Sequence, residues 1–372
     1  LSNHIVKDKN GSYEIDWDDL EKSVKVAVRL LDDMIEVNNY PLKEIEEMVK
    51  NGNRRIGLGV MGFAHLLFKL GIPYNSEEAI RLSERLAKFI RRKAEEMSLE
   101  LGKERGVFPN WDRSIYAGSA ERYRNCALTM IAPTGTISML ANCSSGIEPV
   151  FSLVTLRKTF FEDDKKNRPT EELMMIDPAF KEYLKTKGLT KKEVRSVLET
   201  TVAEGNLTSV EQLNKKEKKL FVTSHQIEPE WHVRIQAAWQ KHFDNSVSKT
   251  INFPHNATVE DVRSAYMLAW KLGCKGITIY RDGSKHDQVL NVSQQEVTSN
   301  GLRVTGKQKI QEGTNNALPV RNKTEKTSSD SNLKTAIPNS QSDTLCPECG
   351  ASIVKSEGCA TCHECGWSQC KL

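Results

Sequence analysis

The sequence predicts an α/β protein, on three observations. "SKTINFP" (248–254), "VEDVRSAYMLAWKLG" and "KGITIY" (275–280) read as strand, helix and strand. Packed into about thirty residues, that order is the signature of a right-handed parallel βαβ unit. Two short apolar runs, "CALTMIAP" (126–133) and "FSLVTLRKTF" (151–160), suit further strands, and long amphipathic helical patterns alternate with them.

Taken in order, residues 17–39 place Leu20, Val24, Ala27, Val28, Leu31 and Ile35 at helical spacing, with Asp16 as N-cap and Tyr40-Pro41 as the stop. A short helix is expected from Pro41 to Lys50. "FAHLLFKLG" is apolar on most sides and reads as a buried helix that Gly71 ends. Ser76 caps a long amphipathic helix to about Leu101, with Glu77 and Glu78 in the favourable first turn. Residues 161–247 are charged and mostly helical in pattern, with Pro229 near the start of "EWHVRIQAAWQKHF". Thr258 caps the helix of the βαβ unit. After "RDGSK" the composition turns to Ser, Asn, Thr, Gln and Lys without a period, which reads as a linker over 286–344. The expected organisation is therefore a domain over 1–285, this linker, and a small module over 345–372.

The bulk numbers bound the class. The chain has 372 residues, 38% hydrophobic and 27% charged, enough for one or two cores and a small module. A net charge of +4 makes no case for nucleic acid or an acidic membrane surface. Mean hydropathy is −0.51, and no run approaches the ~18 apolar residues of a membrane span. No secretory signal is visible, and the chain opens on Leu1 inside what reads as a folded segment, so an N-terminally incomplete protein is expected. Six of the nine cysteines cluster between Cys346 and Cys370. That is no secreted disulfide framework, and it fits a reducing cytoplasm with a metal site.

Two internal motifs invite a ligand. "GLGVMG" (57–62) matches G-x-G-x-x-G, but "NGNRR" before it is no buried strand and Glu77 and Glu78 open a helix, so close backbone packing is the better reading. "APTGTISMLANCSSGIEPVFS" (132–152) runs an apolar strand into Thr134-Gly135-Thr136, with a helix opening from Ser138. Free amides, two hydroxyls and a helix N-terminus suit an anion such as phosphate, and an ordinary capped helix start is the alternative. Asn142, Cys143 and Glu148 in that stretch suggest a nucleophile with a carboxylate, but no histidine sits at an activating spacing. Cys143, Cys126 and Cys274 are read as packing residues, and His225, His232 and His242 show no ligand pattern.

The tail carries the most specific pattern. Cys346-Pro-Glu-Cys349-Gly is a zinc-knuckle turn, and a second thiolate pair must close the tetrahedron. Cys359 with Cys362 gives C-x2-C-x9-C-x2-C, while Cys362 with Cys365 gives C-x2-C-x12-C-x2-C. The first choice leaves Cys365 and Cys370 close together at the terminus as an exchangeable dithiol, with Lys371 favouring the Cys370 thiolate. The second leaves Cys359 and Cys370 far apart in sequence. The expectation is zinc on Cys346, Cys349, Cys359 and Cys362, with Cys365 and Cys370 as a redox shuttle.

"RRIGLGVMGFAHLL", "APTGTISMLANCSSGIEPVF", "KTINFPHNATVEDV" and "GITIYRDGSK" together resemble the C-terminal half of the adenosylcobalamin-dependent (class II) ribonucleotide reductases over roughly 1–285, and the tail resembles their zinc-binding module. The resemblance implies the second half of a ten-stranded α/β barrel, with Pro133, Thr134, Gly135, Thr136 and Ile137 binding the substrate phosphates. It implies reduction of ribonucleotides to 2′-deoxyribonucleotides for DNA synthesis through a thiyl radical started by adenosylcobalamin. It further implies thioredoxin or a similar thiol donor, an N-terminal half, and a homodimer of the complete enzyme. The family's Asn-Pro-Cys-Gly-Glu finger-loop signature does not occur in the chain, so the radical cysteine is expected upstream and the isolated chain inactive. Class I relatives carry two adjacent tyrosines on the last barrel strand; here it reads Thr278-Ile279-Tyr280-Arg281, which favours cobalamin. The alternatives are a zinc-ribbon interaction module fused to an α/β domain, which the tail's balanced charge disfavours, and a nucleotide-dependent dehydrogenase resting only on "GLGVMG".

Overall fold

The computed structural model describes residues 1–9, 11–159 and 171–284, and the backbone of three strands in the C-terminal segment, 353–356, 359–362 and 368–370. Two compact units separate at residue 301, Leu1–Gly301 and Leu302–Leu372. The expected linker over 286–344 lies outside the described residues.

In the first unit, β1 (Ile5–Lys7) and β2 (Tyr13–Ile15) form a small antiparallel hairpin that precedes α1 (Trp17–Val37). Asp16 caps α1 by accepting from the Asp19 amide at 2.9 Å. The predicted stripe is the buried one, with Leu20, Val24, Val28 and Ile35 inside. α2 is shorter than expected, Lys43–Met48, because the chain widens into a single π turn over Val49–Asn53. α3 (Phe63–Leu70) is buried nearly all round, as its composition requires, and Gly71 ends it at φ 72°. α4 (Glu77–Arg105) begins at the Ser76 cap and continues four residues past the predicted end, with Gly106 as its C-cap.

α1 and α4 lie against each other around a buried charge that the apolar pattern did not signal. Asp32, fully buried on α1, accepts from Arg54 Nε at 3.1 Å and Nη2 at 2.8 Å and from Asn125 Nδ2 at 2.9 Å. Arg105 and Arg124 complete the cluster. Burial pushes the Asp32 carboxyl up, but Arg54, Asn125 and Arg124 outweigh it and hold the group below the usual aspartate value.

Three extended segments then lie side by side. The "GLGV" stretch pairs in parallel with "ALTM" through a Leu58–Thr129 bridge, and Ile131 bridges in parallel to Val247. The glycines of "GLGVMG" serve this packing: a Cβ on Gly59 would stand 2.5 Å from the Met130 carbonyl oxygen. The run 126–133, predicted as a buried strand, is buried at Ala127–Thr129 and Ile131 but makes only these single bridges, and Pro133 is exposed. α5 (Gly135–Leu140) opens three residues before the predicted Ser138.

β3 (Val154–Thr159) confirms the second extended run. Its antiparallel partner β4 (Glu171–Ile176) sits where the sequence was read as mostly helical. α6 (Pro178–Thr186), α7 (Lys191–Glu204), α8 (Lys215–Leu220) and α9 (Pro229–Gln240) follow. β5 (Thr250–Phe253), α10 (Val259–Lys271) and β6 (Thr278–Arg281) make the predicted parallel βαβ unit, with Ile251 opposite Ile279 and Thr258 in a capping box with Asp261. Phe63 holds the main core together, edge-on to Tyr74 at 6.0 Å and to the buried Trp239 at 5.6 Å. Burial of each such side chain contributes about 1.5–3 kcal/mol.

In the second unit, β7 (Ile353–Ser356), β8 (Cys359–Cys362) and β9 (Ser368–Cys370) form an antiparallel three-stranded sheet. Among the described residues the strands make four separate sheets, and no helix is long and apolar enough to cross a membrane.

Candidate functional site

The Pro133–Ile137 turn sits where the buried extended segment leaves the core. The segment is pinned on both sides. Met130 N donates to Leu58 O at 3.0 Å, Ser248 N donates to Ile131 O at 2.9 Å, and Asp244 Oδ2 accepts from the Leu128 amide at 2.7 Å. The chain then turns sharply at Thr134, which adopts φ 55°, a left-handed conformation that β-branched residues rarely take.

The Thr134 hydroxyl explains how that conformation is held. Thr134 Oγ1 accepts from the Gly146 amide at 2.7 Å and lies 3.2 Å from Ser145 Oγ, which donates to Pro133 O at 2.5 Å. The side chain is therefore committed to the protein. The groups left open are the amides of Gly135, Thr136 and Ile137, the first turn of α5, which have no partner among the described residues. The Thr136 hydroxyl is also exposed and unpaired. Gly135 has ordinary negative φ and open space beside it, with nothing within 4 Å of an added Cβ. Its glycine is not needed by the fold, and it leaves room for a ligand to approach the backbone.

Residues 143–148, which follow α5 and form no regular element, are tied to distant parts of the fold. Gly62 N donates to Ser144 O at 2.7 Å, and Ser144 N donates to His65 Nδ1 at 3.2 Å. Since His65 Nδ1 accepts, its Nε2 carries the proton toward Asp177 Oδ2, 2.7 Å away. Tyr74 OH donates to Ile147 O at 2.7 Å. Glu148 Oε1 accepts from the Thr250 amide at 2.7 Å, and its Oε2 pairs with Lys249. Lys249 is 1% exposed and also donates to His232 Nδ1 at 2.7 Å and to Thr250 O. Burial pulls the Lys249 ammonium down while Glu148 opposes the shift. Burial and the neighbouring Lys249 hold His232 well below its ordinary value, so it is the neutral acceptor.

Glu148 is thus no partner for Cys143 as a nucleophile. Burial pushes the thiols of Cys143 and Cys126 up and that of Cys274 to about 11, as packing residues should behave. His65, Asp177 and Lys249 were not singled out by sequence reasoning, since each acts across a separation that no local spacing reports. No group of histidine, cysteine or acidic side chains able to hold a metal occurs among the described residues.

In the tail, Cys346, Cys349 and Cys365 lie outside the described residues. The strand register places Cys359 directly opposite Cys370, and Cys362 opposite Ile353. This corrects the spacing argument that set Cys359 and Cys370 far apart: a strand reversal returns position 370 to the level of 359. Cys359 and Cys362 are the first and last residues of β8.

Comparison with known proteins places this geometry in a family. The profile described as "Ribonucleotide reductase, barrel domain" matches residues 1–122 and 118–280. A vitamin B12-dependent ribonucleoside-diphosphate reductase of Thermoplasma acidophilum is 44% identical over 297 residues, covering 80% of this chain and 36% of the relative. The Mycobacterium tuberculosis (H37Rv) protein of the same description is 43% identical over 277 residues, covering 74% and 37%. The chain therefore spans just over a third of the length of these relatives. Among solved structures, the Actinobacillus ureae class Id ribonucleotide reductase alpha subunit superposes with a TM-score of 0.57 at 25% identity, covering 72% of this chain and 47% of that one. The chain belongs to the ribonucleotide reductase barrel-domain family.

Proposed function

We propose that this chain supplies the substrate-phosphate half of a vitamin B12-dependent ribonucleotide reductase, which converts ribonucleotides to 2′-deoxyribonucleotides. The carrying observation is the Pro133–Ile137 turn, whose three open amides and free Thr136 hydroxyl converge beside the space left by Gly135. Backbone N–H groups arranged this way suit phosphate oxygens. The B12-dependent relatives and the lone Tyr280 between Ile279 and Arg281 on β6 support cobalamin as the radical initiator. The test is the Michaelis constant in an enzyme joining this chain to the relatives' N-terminal part. Thr136→Ala should raise it about tenfold or more, because a hydrogen bond to a charged group contributes about 1.5–3 kcal/mol. An unchanged constant would remove the phosphate role.

For the tail, the chemistry of four thiolates supports a zinc site, and the remaining two support a dithiol that re-reduces the barrel disulfide, which the family resemblance places on a substrate-reducing cysteine pair expected upstream of Leu1. Cys346, Cys349 and Cys362 belong to both possible zinc sets. The register supports Cys365 as the fourth ligand in place of Cys359, with Cys359 and Cys370 as the dithiol. One thiolate attacks the barrel disulfide, the other resolves the mixed disulfide, and thioredoxin or a similar donor returns two electrons and two protons. Zinc content and thioredoxin-driven turnover of two double variants separate the sets. Cys359→Ser/Cys370→Ser should keep zinc and stop after about one turnover, whereas Cys365→Ser/Cys370→Ser should lose zinc. The reverse pattern would restore Cys359 to the metal and Cys365 to the shuttle.

A further inference from the structure

We propose that Lys249 is a positioning residue that fixes the phosphate-facing turn through Glu148. The inference rests on the reading of that turn as the phosphate site, and it adds which distant element sets its shape. Lys249 stands at the entrance to β5, about a hundred residues along the chain from the turn. Its ammonium has three acceptors, Glu148, His232 Nδ1 and Thr250 O, and no access to water. A lysine buried this completely keeps its charge only while an anion stays beside it. The anion is Glu148, whose second oxygen is taken by the Thr250 amide. Both carboxylate oxygens are thus locked to the first residues of the βαβ unit.

The mechanical consequence follows along the chain. Glu148 ends the strap of residues 143–148, and two residues before it Gly146 donates to Thr134 Oγ1. That bond keeps Thr134 in its left-handed conformation and so directs the amides of Gly135, Thr136 and Ile137 outward together. The other anchors of the strap, from the Gly62 and Phe63 amides and from His65 and Tyr74, are single hydrogen bonds to its backbone. Lys249–Glu148 is its only charged tie among the described residues, and it links the turn to the β5–α10–β6 unit.

The experiment is hydrogen exchange on the chain, followed at the amides of Ser138, Cys143 and Gly146. Glu148→Gln keeps shape and hydrogen-bonding capacity while removing the charge, and Lys249→Met is the second variant. Arg54→Met, which breaks the more completely buried Asp32 pair away from the turn, is the control for general loss of stability. Exchange at the three reporter amides should rise about tenfold or more in Glu148→Gln and Lys249→Met, beyond the rise in Arg54→Met at equal global stability. Equal rises in all three variants, or none in Glu148→Gln, would overturn the positioning role. Inorganic pyrophosphate added to the unaltered chain should protect the amides at 135–137. Its failure to do so would count against the phosphate reading alone, because the reporter amides test anchoring without a ligand.

Discussion

Thr134 and Thr136 flank the same glycine, yet the structure assigns them opposite tasks, and alanine at each position should separate fold from binding. Thr134→Ala removes the acceptor of the buried Gly146 amide at 2.7 Å and the contact to Ser145 at 3.2 Å. Ser145 is partly exposed, so water can replace that contact. Gly146 is buried, and an orphaned buried donor costs about 1–3 kcal/mol. Removing the β-branch returns a little of this, because the left-handed conformation at φ 55° disfavours threonine. The net expectation is a loss of about 2 kcal/mol. Thr136 is exposed and unpaired, so its alanine variant should stay within about 0.5 kcal/mol of the parent. Urea unfolding, followed by tryptophan fluorescence with the denaturant slope held as a check, measures both. Titration with a ribonucleoside diphosphate then measures binding, which Thr136→Ala should weaken without a change in stability. Equal stability losses in the two variants, or none in Thr134→Ala, would refute the division of labour.

Arg54→Met strands the fully buried Asp32 and should cost about 3–5 kcal/mol of unfolding free energy. Because Asp32 is held below its ordinary value of 3.8, its contribution is complete above that pH and is lost as pH falls through the lower folded-state value. Acid unfolding should accordingly be less steep in Asp32→Asn than in the parent. Gly59→Ala should cost about 1–3 kcal/mol by overpacking against the Met130 carbonyl, with no effect on any nicotinamide cofactor; a measured dinucleotide affinity that the variant abolishes would revive the G-x-G-x-x-G reading. The chain alone should form no deoxynucleotide with adenosylcobalamin, since it lacks the Asn-Pro-Cys-Gly-Glu signature; product formation in a direct nucleotide assay would contradict this.

What was legible in the sequence was local. The Asp16, Ser76 and Thr258 caps, the Gly71 stop and the βαβ unit each follow from spacing within one or two turns. What was missed depends on partners far away. β4 was read as part of a helical region because "EELMMI" has no alternation, and it becomes a strand by pairing with β3 across a reversal. The π turn before Arg54 likewise serves a contact to Asp32 on α1 that no window of residues contains. In the turn itself, "APTGTIS" announced open amides, because a strand entering a short helix leaves them unpaired wherever it occurs. It could not announce that one threonine faces the protein and the other faces solvent.

The tail carries the same lesson into the chemistry. Counting along the chain, Cys365 and Cys370 are neighbours and Cys359 is remote from Cys370. A sheet measures distance differently. Antiparallel pairing brings directly opposed residues to about 4.5–5.5 Å between Cα atoms, a separation within the range that disulfides span. Cys359 and Cys370 meet that condition by register. Cys365 falls in the sequence between Cys362, the last residue of β8, and Ser368, the first of β9, and a Cys-x-x-Cys zinc knuckle needs a turn at its second ligand. With Cys362 at the end of β8 and Cys365 between the two strands in sequence, the zinc would hold the very reversal that sets Cys359 against Cys370. Metal and dithiol would then be coupled: removing zinc loosens the reversal and separates the two thiols, and turnover with a protein donor should fall in step with zinc loss while turnover with a small dithiol persists. If chelation left protein-driven turnover intact, the dithiol would have to be the pair that is adjacent in sequence, which needs no sheet to bring it together.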